Sequence, residues 1–573
     1  MILLLSALAS ASTTFTIGKG QDYTSVSQAL AAEGATASPP LEFLLFPDYS
    51  PSSENQDSQG DPFGIALGVD VQIRSSDPGE SRPFGEVHAY NGAKVTLTDL
   101  EITPVSSIYI DPMTREGGRS IHHAAMLATD DSTLTAERVT VQDLKSQSVV
   151  LATNGNIELN TCILRGNTPQ ASDSYPFKNY TIGVQAESGD YALTLVDTVV
   201  ENASGPAIAA YNTKGSQTLD ITGGRIANVV GDSPGSAVLT SGVVDTTVTG
   251  LAIENAGNTA VKLSQGTHEW TETQLTDVSG DEGGAFHLSD GGNLRLLQVQ
   301  CTRCMSTVHG GAVFAQSGTS LVISALSMNE GGSPEGGAVY ADGVGLVISN
   351  SRFCAVAADN GSLITTSSQI QSLNNIFRNL PIETSIFDGQ GGDLEAVNNT
   401  FVDNEGPIMT GLFSSLDFVN NAVVNVTDLN AGQAPGELSF GYNLFFDNMN
   451  THYSPELQAG ESDLVDVEPG FAEAFLSDPA NCAIDPTPAD GSALIDAGDP
   501  SILDSNGTRS DIGAFGGIGA EEFETTWSPA QDPDVTLLGG CSGGSSLTAF
   551  MLALPLLGLN RKRRKWAEQE QRE

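Results

Sequence analysis

The sequence predicts an all-β solenoid, a parallel β-helix of 22–27-residue coils with a short capping helix ahead of it. A repeat, the absence of competing signatures and the composition all point there. Short apolar patches beside asparagine recur at Phe353, Phe377, Phe401, Val423 and Phe445, in steps of 24, 24, 22 and 22 residues. The pattern continues less regularly upstream at Ile163, Ile253 and Val299. A second series, "EGGAF", "HGGAVF" and "EGGAVY", spaces Ala285, Ala312 and Ala338 by 27 and 26 residues. The leucine framework of leucine-rich repeats is absent, and the period falls well short of the roughly forty residues of a propeller blade. With 62 glycines, 6% aromatic and 16% charged residues, the chain suits short strands and tight turns, not helices surfaced with Glu, Lys and Arg.

The elements follow in order. Residues 1–11 ("MILLLSALASA") read as a signal peptide without a basic n-region, ending in the Ala9-Ser10-Ala11 cleavage pattern. Residues 12–86 form a cap and first coils: "TFTIGKGQDYTSVSQALAAEGA" reads as a strand, a glycine turn and an amphipathic helix near 24–33, with Val26, Ala29 and Leu30 on one face. Residues 87–446 hold about fifteen coils, which at a strand spacing of about 4.8 Å make a rod on the order of 70 Å long. In each coil Asn tolerates a left-handed bend, and stacked amides can bond along the rod. The paired glycines allow a tight turn that brings a small Ala to the interior. A closing segment (447–520), an acidic linker (521–540) and a C-terminal sorting or membrane segment (541–573) complete the chain. The apolar run Leu547–Leu559 has only 13 residues, is interrupted by Pro555 and precedes the basic cluster Arg561–Lys565. A stable spanning helix needs about 20 residues.

Several stretches resemble known families. The strand and short helix at the start resemble the opening of the pectin-lyase-like superfamily, which implies a right-handed parallel β-helix. The "GGA" and Asn-x-x-Phe texture looks like exported repeat proteins of the polymorphic outer-membrane type. "GSALIDAGDPSILDSNGTRSDIGAFGG" (491–517) is similar to the closing segment of exported bacterial β-helix proteins of the choice-of-anchor class. The order Gly539-Gly540-Cys541, apolar run, basic cluster looks like the MYXO-CTERM and GlyGly-CTERM sorting signals. That resemblance implies cutting by a sorting protease near Gly540, with Cys541 as a lipid attachment point. An uncleaved transmembrane helix is the alternative. The implied location is exported, at the outer membrane or cell surface, or secreted after processing.

Charge narrows the function. With 24 Lys+Arg against 70 Asp+Glu the formal charge is −46, which leaves no basic footprint for nucleic acid. Acidic polysaccharides are disfavoured unless a divalent cation bridges the two surfaces. Six scattered cysteines make no disulfide framework; Cys301-Thr-Arg-Cys304 is read as a local bridge or, less well, half a metal site. No cofactor is called for. "DSNGTRSD" (Asp504, Asn506, Asp511) has some look of a calcium loop without the spacing of an EF-hand, so Ca2+ is a minor expectation there.

No catalytic residues can be assigned. The Asp clusters of polygalacturonases, the calcium-plus-base sets of pectate lyases and the Asp–Arg sets of pectinesterases do not map onto this chain. The candidate ligand site comes from two insertions, between Ile102 and Val139 and between Ile163 and Val199, each about a dozen residues beyond one coil. Leaving the rod on one side, they would gather Tyr109, Asp111, Arg115, Arg119, His122, His123, Tyr175, Lys178 and Tyr180. Basic and aromatic residues on an acidic rod suit a carbohydrate or anionic ligand; the plainer reading is decorated loops whose cations pair with nearby acids. The expectation is a non-catalytic cell-surface β-helix for adhesion, glycan binding or envelope structure. The alternative is a surface-retained polysaccharide lyase or glycoside hydrolase.

Overall fold

In each coil the chain makes three short strands, and every strand pairs in parallel with its counterpart one coil away. The computed structural model describes residues 13–33, 40–50, 65–102, 124–142, 148–165, 180–186, 189–212, 214–231, 235–316, 319–358, 361–381, 385–429, 436–449, 460, 462–478 and 481–520. The first sheet has 17 strands, from Thr13–Ile17 to Glu437–Gly441. The second runs from Arg82–Phe84 to Leu464–Val465. The third has 14 strands, from Ile65–Leu67 to Met409–Leu412. The parallel β-helix is therefore as expected. Three strands of the first sheet, Thr13–Ile17, Leu41–Leu45 and Val71–Ser75, already lie in the cap region. The helix Val26–Glu33 sits between the first two, with Val26 and Ala29 buried and Leu30 packed on the core.

Alternation builds the interior. Leu41, Phe43 and Leu45 are buried while Glu42 and Leu44 between them are partly exposed, the signature of a strand with one wet face. The predicted column is in register: Phe353, Phe377, Phe401, Val423 and Phe445 are successive partners. The rings of Phe353, Phe377 and Phe401 stack at 5.3 and 5.2 Å. Upstream the register corrects the reading. The counterpart of Phe353 is Leu164 rather than Ile163, and Cys301 rather than Val299; Ile102 pairs with Val141 rather than Val139. Ile163 and Val199 face outward, because a one-residue slip moves a side chain to the other face.

The corner between the first and second sheets carries a left-handed residue in coil after coil, among them Asp99, Thr161, Asn350, Asn374, Asn398 and Asn420, with φ from 50° to 59°. The next residue turns inward. In the last coils it is Asn375, Asn399, Asn421 and Asn443, all fully buried. Asn375 Nδ2 donates to Asn399 Oδ1 at 3.1 Å, Asn399 Nδ2 to Asn421 Oδ1 at 3.0 Å, and Asn421 Nδ2 to Asn443 Oδ1 at 3.2 Å. Asn443 closes on Asp463 Oδ1 at 3.3 Å. In each "Asn-Asn" pair the first residue thus turns the corner and the second builds an internal amide ladder.

Residues 481–520 run back over this corner and the second sheet. Asn374 Nδ2 donates to Ala514 O, Asn398 Nδ2 to Asp511 O, and Asn420 Oδ1 accepts from Asp499 N. Arg352 pairs with Asp485 at 2.6 Å, and Arg378 lies over the Phe475 ring of the short helix Glu473–Ser477. Phe471, Phe475, Leu494 and Ile512 cover Val402, Ala422, Val424 and Leu444. The cysteines correct the single-bridge expectation: Cys301 bonds Cys304, and Cys354 bonds Cys482 to fasten the returning segment to the rod.

Glu86, between Arg82–Phe84 and Val87–Ala89, is only partly exposed, and burial pushes its carboxyl up to about 7. A folded-state value above the unfolded one favours the protonated form. Its stabilisation is present at acid pH and lost as the pH rises through about 7. Glu86→Gln is expected to gain about 3 kcal/mol over the parent between pH 4 and pH 8, read from paired urea titrations.

Candidate ligand-binding face

Of the residues expected to form a site, only Tyr180 falls among the described ones. Tyr109, Asp111, Arg115, Arg119, His122, His123, Tyr175 and Lys178 lie outside them, as do Gly540 and Cys541. Tyr180 is 3% exposed and packs with Leu127, Leu151 and Ala209 on the outer face of the third sheet. Its ring occupies the space above Gly183, where a Cβ would clash, and lies 6.0 Å from Tyr211.

A more organised group sits farther along the same sheet, on the three "GGA" turns. The first glycine of each pair, Gly283, Gly310 and Gly336, is left-handed with φ of 69°, 64° and 60°. A Cβ on the second would meet backbone carbonyls: Gly284 against Met305 O, Gly311 against Gly337 O, Gly337 against Ala357 O. Both positions therefore need glycine, and Ala285, Ala312 and Ala338 point into the core. The turns present two columns outward. Glu282, His309 and Glu335 precede the glycines and neighbour one another in register. His287, Phe314 and Tyr340 follow, aligned on the outer face of the third sheet.

The columns interlock. The His309 ring centroid lies 4.4 Å from Tyr340 and 5.8 Å from Phe314, and His287 lies 4.9 Å from Phe314. His309 Nε2 is 3.3 Å from Glu335 Oε2. His287 is 5% exposed; its Nδ1 stands 3.8 Å from Glu282 Oε2, beyond hydrogen-bond reach. The Nδ1 atoms of both histidines are buried without a hydrogen-bond partner. Burial, with Lys262 adding repulsion, pushes His287 down to about 4, so it is neutral at pH 7. Lys262 precedes this column, and Thr365 and Asp388 continue it. Burial holds the Asp388 carboxyl above its ordinary range, and burial followed by the charges of Asp342, Glu335 and Asp388 raises the Tyr340 phenol. The array offers aromatic surface, neutral imidazole and carboxylate acceptors together, which a ligand rich in hydroxyl or amino groups requires.

The calcium expectation changes its members. Asp504 and Asp511 do come together, with Asp496 as the third carboxylate, all within 4.8 Å of one another. Asn506 instead accepts from Thr508 N and Oγ1. Two of the three carboxylates also tie the segment: Asp511 Oδ1 accepts from Asp496 N at 2.7 Å and Asp504 Oδ1 from Gly517 N. Three such oxygens could contribute to a Ca2+ shell of six to eight ligands but not complete it.

No helix among the described residues is long and apolar enough to cross a membrane. No protein-family model matches the chain, and no curated protein matches it.

Read for its backbone alone, the "GGA" motif gives the tight turn and not the side chains it presents. The available signal is positional: the residue just before "GGA" and the second residue after it are Glu, His or aromatic in all three turns.

Proposed function

We propose that this chain is an exported, non-catalytic β-helix held at the cell surface, binding carbohydrate through the array of Glu282, His287, His309, Phe314, Glu335 and Tyr340. The observation that carries this reading is the cluster of four aromatic and imidazole rings beside the Glu282 and Glu335 carboxylates, with two buried imidazole nitrogens that have no hydrogen-bond partner. A sugar presents an apolar face to such rings and hydroxyls to such acceptors. Export is supported by the N-terminal apolar segment, and retention by the small-residue, apolar and basic order of the tail. In this reading a sorting protease cuts near Gly540, and Cys541 remains as the lipid-bearing tether. The likeness to right-handed pectin-lyase-like, choice-of-anchor proteins supplies the architecture for it.

A second reading, a lyase or hydrolase, draws on Asp388. Its raised carboxyl shares a neighbourhood with Glu335 and Tyr340, as a general acid and its partner would. One experiment separates the two: a panel of polysaccharides is incubated with the protein and scored for retention and for cleavage. Retention without cleavage is expected, and Tyr340→Ala with His309→Ala is expected to weaken it about tenfold or more. Cleavage abolished by Asp388→Asn would establish the enzyme; no retention by any glycan would remove the binding reading.

A further inference from the structure

The array does not stand alone on its flank. Asn379, Asp403 and Asn425 occupy the same left-handed position along the second sheet as Arg303 and Glu330, with φ from 51° to 58°. There they line a cleft of about 600 Å³ with Leu380, Pro381, Glu405 and Met449. Leu380 and Pro381 give it an apolar floor, and Met449 is 76% exposed at its edge. Asn425 Nδ2 holds Asp403 Oδ1 at 2.8 Å, fixing that carboxylate on the cleft wall. Array and cleft therefore lie on one flank of the rod, along the second sheet and its turn into the third. From the coil of Glu282 to that of Asn425 the register makes six steps, through Leu275, Cys301, Met328, Phe353, Phe377, Phe401 and Val423. At about 4.8 Å per step they span on the order of 30 Å along the axis.

Resting on the carbohydrate-binding reading above, we infer that array and cleft form one axial track for a linear glycan bearing free amino groups. Length and charge lead there. Two polar-and-apolar sites on one flank suit a chain long enough to reach both, and simultaneous engagement makes the second contact intramolecular. The track presents Glu282, Glu335, Asp388, Asp403 and Glu405, with Lys262 at one end of the array. An acid-bearing polymer would set like charges against these carboxylates, whereas an ammonium gains charge-assisted hydrogen bonds and attraction to the Tyr340 ring. His287, 5% exposed within the array, keeps a buried Nδ1 without a hydrogen-bond partner beside the track.

The test uses the full chain and β-1,4-linked glucosamine oligomers, as a dimer and a hexamer, beside their N-acetylated forms and an oligogalacturonate. Isothermal titration is expected to rank amine above neutral above acid, with the hexamer binding about tenfold or more tighter than the dimer. Asp403→Asn keeps a residue suited to the left-handed corner. It is expected to cost the hexamer about tenfold and leave the dimer, bound at the array, unchanged. Glu158→Gln and Glu395→Gln, on the first sheet, are expected to change neither. Equal losses from these two would reduce the binding to general attraction between polycation and acidic protein, and overturn the track. Binding of neutral glycans with no amine preference or length gain would overturn it and leave the carbohydrate reading standing. Binding of no glycan at all would overturn both.

Discussion

Asn399→Ala is expected to destabilise the C-terminal coils by about 3–5 kcal/mol, read by urea unfolding with hydrogen exchange at Ile376–Arg378 and Thr400–Pro407. Asn399 is fully buried, and its side chain bonds Ser372, Asn375, Val397 and Asn421 at once. Oδ1 accepts from Asn375 N, Asn375 Nδ2 and Ser372 Oγ, at 3.1, 3.1 and 3.0 Å. Nδ2 donates to Ser372 O at 2.9 Å and Asn421 Oδ1 at 3.0 Å. Alanine would leave these donors and acceptors buried and unpaired, each costing about 1–3 kcal/mol. Repacking recovers some of that, hence the lower total. Thr247→Ala, on the exposed face of the first sheet, is expected to stay within about 0.5 kcal/mol. Since each coil contacts only its neighbours, the exchange change should concentrate around the ladder and fade toward the N-terminal coils. Equal exchange in every coil would refute a local role for the ladder.

The residues explain what could be read in advance. Phe353, Phe377 and Phe401 repeat one residue type at one spacing, so the period, the rod and the inward column were all legible. Where the equivalent position holds Leu164 or Cys301 the type varies, and the patch slipped by one or two residues against its true partner. The glycine pairs were legible as tight turns, since positive φ and backbone crowding both demand glycine. What the turns present was not, because Glu282, His309 and Glu335 share a place without sharing a chemistry. Tyr180 belongs to an insertion, and the small Gly183 beside it makes room for its ring against the sheet. A sequence pattern does not report which neighbour vacates that space.

The Cys354–Cys482 bond depended on the path of the returning segment, and its removal is the second large effect expected. The bond closes a loop across a separation of 128 residues. In the chain-entropy description, a loop of that length restrains the unfolded chain by about 5 kcal/mol, against about 2 kcal/mol for the three-residue separation of Cys301–Cys304. Cys354→Ser with Cys482→Ser should therefore lower the unfolding free energy more than Cys301→Ser with Cys304→Ser, in the same urea titration under non-reducing conditions. The larger loss has a location. Cys482 is anchored beside the Arg352–Asp485 pair and Phe475, and downstream lie the bonds of Asn374, Asn398 and Asn420 to the same segment. Those contacts remain in the variant, so the returning segment should stay folded but open more often. Limited proteolysis is expected to cut within 481–520 well before the coils themselves. If the two double variants lose equal stability and 481–520 resists cutting as before, the contacts alone hold the segment and the bond restrains nothing they do not.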